Sequence, residues 1–337
     1  MKTNKTISNI IQNKVSFKKI TKISRKKHLF GVDKKIKKIS LLFLHLIIIN
    51  INTPHIFSPH LQYSKNMKDI KVCLCIVGKK ENLYAEELVN HYKSLGYNHI
   101  FIYDNNDIGE EKFDDVLYKQ INNSFVTIIN FRGFKQPQCR AYRDCYEKNK
   151  NNYDWLSFFD FDEFLYITNN KSIQEFLSDE RYKKCINVKI NTLYYTDNDL
   201  IYYENKSLNE RFTSYKIDYY PNIHVKSTVR GHMPKNYWAT YTNPHTSTVR
   251  YTSCNSLGKK IPFDTPFNQP NYKFAYLKHY SMKTLEEFCS KVMRGYPDRK
   301  SDFSKDYWTK RFKEFFMLNK KTKEKLEFIK NTYQIDL

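Results

Sequence analysis

From Ile70 onward the chain alternates short apolar runs with amphipathic segments. Ile70-Lys71-Val72-Cys73-Leu74-Cys75-Ile76-Val77 is nearly continuous in apolar residues, as a strand covered on both faces must be. Residues 81–95 place Leu88, Tyr92 and Leu95 on one helical face, and Gly96 follows as the terminator. His99 to Tyr103 predicts a second strand, ending in Asp104-Asn105-Asn106. A short helix near 111–121, a strand at Phe125–Phe131 and a helix near 136–148 lead to a further strand from Trp155. Strand and helix in repeated alternation predict an α/β domain with a mostly parallel sheet and helices on both faces. Ligands of such sheets bind beyond the carboxyl ends of the strands.

The pattern is sparser in the second half. Ser172-x-x-Glu175 and Thr284-x-x-Glu287 are capping boxes that open helices, the second running through Met293. Cys185–Thr196 alternates and predicts a strand. Residues 200–270 are rich in Tyr, Asn and Pro and show no period, whereas 304–330 are Lys/Phe-rich with a helical one. The expected organisation is a basic extension at 1–66, an α/β domain at 67–300 and a C-terminal helical segment at 301–337.

Charge changes the picture mainly at the N-terminus. The net charge is +22 over 337 residues, yet residues 1–66 hold 14 Lys and Arg against the single acid Asp33. The excess thus belongs to an arm, which reads as a solvated tail or as a tether to an anionic membrane surface; no nucleic-acid partner is expected. Leu41 to Ile51 is apolar except for His45 and Asn50, but falls well short of the ~20 residues that span a bilayer. It suits a weak signal-anchor or a helix lying in the membrane interface. The seven cysteines form no C-x-x-C pair, and Cys73 and Cys75 share one strand face, where thiols act as small hydrophobes. A reducing, cytoplasmic setting is the expectation, with membrane association through the arm.

The chemistry concentrates in Trp155-Leu156-Ser157-Phe158-Phe159-Asp160-Phe161-Asp162-Glu163-Phe164-Leu165. Carboxylates at the end of a buried strand need a neutraliser. A divalent cation with oxygen ligands, Mn²⁺ or Mg²⁺, supplies one. If the strand continues through the motif, Asp160 and Asp162 point the same way and approach one ion. Two metal-dependent chemistries use such a strand: phosphoryl transfer with an aspartate nucleophile, and glycosyl transfer from a nucleotide sugar. The phosphatase pattern needs its Asp-x-Asp after the first strand and Thr or Val at the position of Phe164. Here three strands precede it. A metal-dependent phosphohydrolase or nuclease, or a non-catalytic basic binding protein, remain the alternatives.

Several segments occur in a telling order: Cys73-Leu74-Cys75-Ile76-Val77-Gly78-Lys79-Lys80-Glu81-Asn82, His99-Ile100-Phe101-Ile102-Tyr103-Asp104-Asn105-Asn106, Gln138-Cys139-Arg140-Ala141-Tyr142-Arg143-Asp144-Cys145, and the acidic run at Trp155–Leu165. Glu210-Arg211-Phe212 and His279-Tyr280-Ser281 follow. In this order the stretch of about 70–290 resembles glycosyltransferases of the GT-A (Rossmann-like) fold, most closely family 92 and family 2-like groups. The resemblance implies that Asp104 and Asn105 contact the nucleoside of a nucleotide-sugar donor, with Gln138 and Arg140 beside it. It implies that Asp160 and Asp162 bind the metal and that His279 is a third ligand. It also implies inversion at the anomeric carbon, hence a carboxylate base for the hydroxyl of a saccharide or glycolipid acceptor. Asp197, Asp199 and Glu210 are candidates for that base, Asp197 first. The aromatic stretch Tyr219–Tyr251 is a candidate acceptor surface. On the residues alone, Asp104 also reads as a turn cap, His279 as a structural histidine, Arg140 as a solvated charge and Asp197 as a loop aspartate.

Overall fold

β1 (Val72–Gly78) is buried at almost every position because it is flanked on both edges and both faces. In the computed structural model, which describes residues 70–135, 137–233, 245, 252–295 and 303–337, it pairs in parallel with β2 (His99–Asp104) from Cys73↔His99 to Gly78↔Asp104. On its other edge it pairs in parallel with β4 (Trp155–Phe158) from Val72↔Trp155 to Cys75↔Phe158. β3 (Val126–Asn130) extends the parallel run beyond β2. The basic arm 1–66, its apolar segment 41–51 and most of residues 234–251 in the aromatic stretch lie outside the described residues.

The two faces of β1 feed two cores. Val72, Leu74 and Ile76 join the cluster holding Leu88 and Tyr92 of α1 (Asn82–Ser94) and Phe113 and Leu117 of α2 (Phe113–Asn122). Cys73 and Cys75 face the other way, onto Tyr142, Cys145 and Tyr146 of α3 (Pro137–Asn149). α1 stops where the sequence predicts: Gly96 adopts φ +88°, a conformation that costs glycine little. The expected α/β class with helices on both faces is therefore what the chain forms.

The sheet is more mixed than the pattern suggests. Its strand order is β3-β2-β1-β4-β7-β6-β10-β5, with β5 (Glu163–Ile167), β6 (Asn187–Tyr194), β7 (Val225–Arg230) and β10 (Ala275–His279). β7 runs antiparallel to both β4 and β6, and β5 antiparallel to β10, while β10 and β6 are parallel. β8 (Ser253–Asn255) and β9 (Lys260–Ile261) append to β6. β7 escapes the hydrophobic pattern because its buried positions include Lys226, Ser227 and Thr228. Their polar groups are satisfied across the sheet: Asn187 Nδ2 donates to Ser227 Oγ at 3.1 Å, and the Ser157 and Thr228 hydroxyls bond at 2.9 Å.

The helices of the second half open on caps. Ser172, Ser207 and Thr284 form capping boxes with Glu175, Glu210 and Glu287, starting α4 (Ile173–Leu177), α5 (Leu208–Arg211) and α6 (Leu285–Arg294). The C-terminal segment is two helices, α7 (Lys305–Leu318) and α8 (Lys323–Tyr333). They share an apolar cluster with α6 through Leu285, Phe288, Val292, Trp308, Phe312, Phe315 and Ile329. Among the described residues no helix is long and apolar enough to cross a membrane.

The cysteines correct one expectation. Cys75 is disulfide-bonded to Cys145, pinning β1 to α3, and Cys185 to Cys254. These pairs are separated by 70 and 69 residues, so only the fold brings them together and spacing could not reveal them. The cysteine pattern thus no longer supports a reducing compartment, where such bonds are rare. Thiol titration of the denatured, unreduced protein should find three thiols, those of Cys73, Cys139 and Cys289, and reduction should expose seven. Replacing Cys185 and Cys254 together by Ala should lower stability in urea denaturation by about 2–4 kcal/mol.

Candidate active site

The acidic motif is a turn rather than a continuous strand. β4 ends at Phe158, and β5 begins at Glu163. The Asp160 amide donates to Glu163 Oε2 at 3.0 Å, and the Glu163 amide to the Asp160 carbonyl at 3.1 Å, closing the turn on itself. Asp160 and Asp162 therefore do not share a strand face as the strand reading requires. The cause is the aromatic residues between them. Phe159 is fully buried, and Phe161 stacks on Phe113 at 5.2 Å between centroids. Phe161 and Phe113 also lie so close over Gly78 that a Cβ there would fall 2.5–2.9 Å from their rings. The aromatics anchor the turn in the core.

Each carboxylate of the turn meets a cation from far along the chain. Lys226 of β7 donates to Asp160 Oδ2 and lies 3.4 Å from Glu163 Oε2. Gln138 Nε2 of α3 donates to Asp160 Oδ1 at 2.7 Å, and Tyr142 supports the turn by donating to the Phe159 carbonyl at 2.8 Å. On the other side of the turn, Lys291 of α6 donates to Asp162 Oδ2 at 2.6 Å and to the Ser281 carbonyl at 2.9 Å. His279, at the end of β10, brings Nε2 to 3.4 Å from Asp162 Oδ1 and Nδ1 to 3.7 Å from Glu163 Oε1, with its ring over Tyr194.

The electrostatics follow from burial and these partners. Burial pushes the Asp162 carboxyl up, but Lys291 and then His279 overcome it and hold the group well below the usual carboxylate range. Burial likewise opposes ionisation of Asp160, and Lys226 outweighs it to leave a lowered pKa. Burial raises Glu163, with Asp160 adding to the rise, and Lys226 and His279 offset it only in part. Lys226 is raised despite its burial because Asp160 and Glu163 both favour its charge.

The β2 end lies at the same sheet edge, with β1 between it and β4. Asp104 Oδ2 accepts from Arg132 Nε at 3.0 Å and Nη2 at 2.7 Å, and Asp104 Oδ1 accepts from the Asn106 amide at 2.9 Å. Three of about four acceptor positions on a carboxylate are thus filled, and one is open. Asn105 Nδ2 donates to the carbonyls of Phe131 and Phe134 at 2.8 and 3.2 Å. Arg140 is exposed, with its guanidinium 5.9 Å from the Phe134 ring centroid.

The three candidate bases have partners of their own. Asp197 is buried against Lys325 of α8 at 2.6 Å, accepts from the Asp199 amide, and has its own amide held by Asn319. Asp199 also pairs with Lys325, at 3.1 Å. Glu210 is exposed and spends its carboxylate on Ser207, accepting from the amide at 2.9 Å and the hydroxyl at 2.6 Å. The fold brings Asp160, Asp162, His279 and Gln138 together, while the carboxylates of Asp197 and Glu210 are engaged by Lys325 and Ser207. Sequence reasoning singled out Glu163 with Asp160 and Asp162 but missed Lys226, Lys291 and Arg132. Only Arg132 carried a local signal, its place just beyond the end of β3.

Among the described residues no ready cluster of three or more His, Cys, Asp or Glu side chains forms a metal site. The donor set beside Asp162 nevertheless suits a hard divalent cation. Asp162 Oδ1 and His279 Nε2, 3.4 Å apart, are close to the roughly 3 Å that separates two ligands of one such ion. Glu163 Oε1 and His279 Nδ1 are buried and without hydrogen-bond partners, poised as the carboxylate–imidazole pair that orients a metal-binding histidine. Asp160 is turned away, toward Lys226 and Gln138.

Residues 68–334 match the family model of Glycosyltransferase family 92. A glycosyltransferase family 92 protein of Ricinus communis is 24% identical over 108 residues, covering 32% of this chain and 19% of that protein. One of Oryza sativa subsp. japonica is 23% identical over 118 residues, covering 34% and 20%. The matched stretch thus spans about a fifth of the length of each relative. A solved structure, that of S. aureus TarS 1-349, aligns with a TM-score of 0.33 and 12% identity over 67% of this chain and 64% of that one.

Exchanging Lys226 for Met leaves Asp160 and Glu163 without their shared ammonium. Breaking a buried pair by removing one partner costs about 3–5 kcal/mol, which urea denaturation of the Lys226→Met protein should show. An unchanged midpoint would mean that these carboxylates find another counter-ion.

Proposed function

The chain belongs to glycosyltransferase family 92, and on that premise we propose that it transfers a sugar from a nucleotide-sugar donor to an acceptor hydroxyl on a glycan or glycolipid, with inversion. One observation supports this reading most. β1 pairs in parallel with both β2 and β4, so Asp104 and the Asp160–Glu163 turn stand at the same carboxyl edge of one sheet. That edge is where open α/β sheets bind nucleotides.

The residues divide the work. Asp104, fixed by Arg132, has one acceptor position for a ribose hydroxyl or base N–H, and Asn105 shapes the same loop. Gln138 and Lys226 hold Asp160 facing the donor side, with Arg140 at the rim. Asp162 and His279 would hold Mn²⁺ or Mg²⁺, with Glu163 orienting the imidazole. Bound there, the ion would stabilise negative charge on the departing diphosphate. Inversion calls for a base at the acceptor hydroxyl. Asp197 and Glu210 are not proposed for it, since Lys325 and Ser207 occupy their carboxylates.

A nucleotide-sugar panel read by thermal shift with and without Mn²⁺ should yield one donor that raises the melting temperature, since a ligand of the native state stabilises it by mass action. With that donor and a saccharide acceptor, Asp162→Asn should lower kcat/KM by about 10²-fold or more and weaken Mn²⁺ binding measured directly by calorimetry. Release of phosphate or nucleotide from substrates without any sugar transfer would assign the site to hydrolysis instead.

A further inference from the structure

β5 links the acidic turn to the other end of the sheet. It begins at Glu163 and ends at Ile167, about 14 Å further on at the rise of a strand. A cavity of about 50 Å³ opens there, between the end of β5, α4 and the start of β10. It has room for a carboxylate or a few waters but not for a sugar ring. Arg181 is its charged wall. The guanidinium lies over the Phe274 ring, 3.6 Å from the centroid, and donates to Asp179 from Nε at 2.8 Å and from Nη2 at 2.9 Å. Among the described residues Nη1 has no hydrogen-bond partner. Tyr182, next in the chain, donates its hydroxyl to the Ser256 carbonyl, and the Cys185–Cys254 disulfide ties the same two segments. A guanidinium held this way has given up its rotamer freedom before a ligand arrives, which lowers the cost of binding.

Beside the cavity, one face of the β5–β10 pair carries aromatic rings. Tyr276 and Lys278 share that face of β10, and Tyr166 of β5 stands opposite Tyr276 in register. The Tyr166 and Tyr276 rings are 5.0 Å apart, Tyr272 lies 5.5 Å from Tyr276, and Tyr166 is exposed. Lys278 lies over Tyr166 at 5.5 Å and Lys273 over Phe274 at 5.2 Å, while Lys171 lines the cavity. Among the described residues, the Arg181–Asp179 pair is the only salt bridge that any of these four cations makes. The other acids next to the cavity are Glu175, which closes a capping box with Ser172, and Glu180, which pairs with Lys183 at 3.6 Å. The surface is cationic and aromatic.

We propose that this face docks an anionic saccharide chain, with the carboxylate of a uronic acid on Arg181 and the neighbouring sugar on Tyr166 and Tyr276. The open edge of a guanidinium matches a planar carboxylate. An aromatic ring takes the apolar face of a sugar, and the tyrosine hydroxyls are free to meet its hydroxyls. The charge selects an acidic chain over a neutral one. A peptide adding as a strand is shut out, because His91 bonds the Leu165 carbonyl and Tyr92 the Glu163 carbonyl and the Leu165 amide along the outer edge of β5. The site rests on the glycosyltransferase reading for its role alone: it would anchor an acceptor chain whose end reaches the acidic turn.

The test is calorimetric titration of the full chain with a uronic-acid tetrasaccharide, a neutral tetrasaccharide and tetraglutamate. Wild type should bind the uronate and not the neutral chain. Arg181→Gln should weaken uronate binding about tenfold or more, the loss expected for a hydrogen bond between charged groups. Lys171→Gln, at an exposed position that leaves folding intact, should weaken it less and flatten its salt dependence. Tyr166→Ala should weaken it as well, and Asp162→Asn should bind as wild type does. Absence of uronate binding, or equal binding by wild type and all three face variants, overturns the site even if sugar transfer is found. Tetraglutamate binding as tightly as the uronate, unaffected by Tyr166→Ala, overturns the saccharide and leaves an acidic-peptide site. Arg181-dependent uronate binding in a protein that transfers no sugar keeps the site and removes its role as an acceptor anchor.

Discussion

Three carboxylates packed into one four-residue turn set the terms for the second half of this fold. Asp160, Asp162 and Glu163 cannot ionise together in a dry sheet edge unless cations are brought to them. Lys226 comes from β7, 66 residues on, and Lys291 from α6, 129 residues on. The first requires β7 to insert antiparallel between β4 and β6, carrying a lysine into the interior. The second requires α6 to dock across the strand ends. α6 does so through residues one and two turns apart: Glu287 to Arg211 and Tyr84, Lys291 to Asp162, and Arg294 to Glu81. Buried pairs of this kind contribute little net stability but are expensive to break. They fix which elements face the turn.

How much of this was legible depended on whether the determinant was local. β1, β2 and β4 announce themselves because burial on both faces leaves few polar positions, and Gly96 and two capping boxes mark helix ends through backbone geometry alone. β7 was silent because its interior positions are Lys226, Ser227 and Thr228, whose burial is balanced by partners no sequence window contains. The disulfides were silent for the same reason. Even the acidic motif was half legible. Its aromatic flanks showed that it is buried, but they are also what bend the chain between Asp160 and Asp162, where an uninterrupted strand was expected.

The acids named as candidate bases show how far residue type alone reaches as a guide. Asp197 follows a strand, as Asp160 does, yet it meets Lys325 and ties that loop to α8. Glu210 closes a capping box with Ser207, the same spacing as Ser172 with Glu175 and Thr284 with Glu287. That local rule, applied at 207, would have assigned Glu210 to its helix. No comparable rule reaches Asp197, whose partner lies 128 residues away in sequence.

The cations around the strand ends divide by chemistry. Arginine presents a rigid planar fork, whereas lysine is a point charge on a flexible stem. Arg132 grips Asp104 through two nitrogens, and Arg211 grips Glu287 the same way at 2.7 and 3.1 Å. Both pairs fix a backbone segment: the loop after β2 and the start of α6. The groups that touch the acidic turn and its neighbourhood are Lys226, Lys283 and Lys291. An ammonium can leave one oxygen for another by rotating about its own side chain, with no fork to realign. Arginine thus ties the segments on either side of the acidic turn, and lysine supplies the charges that face it.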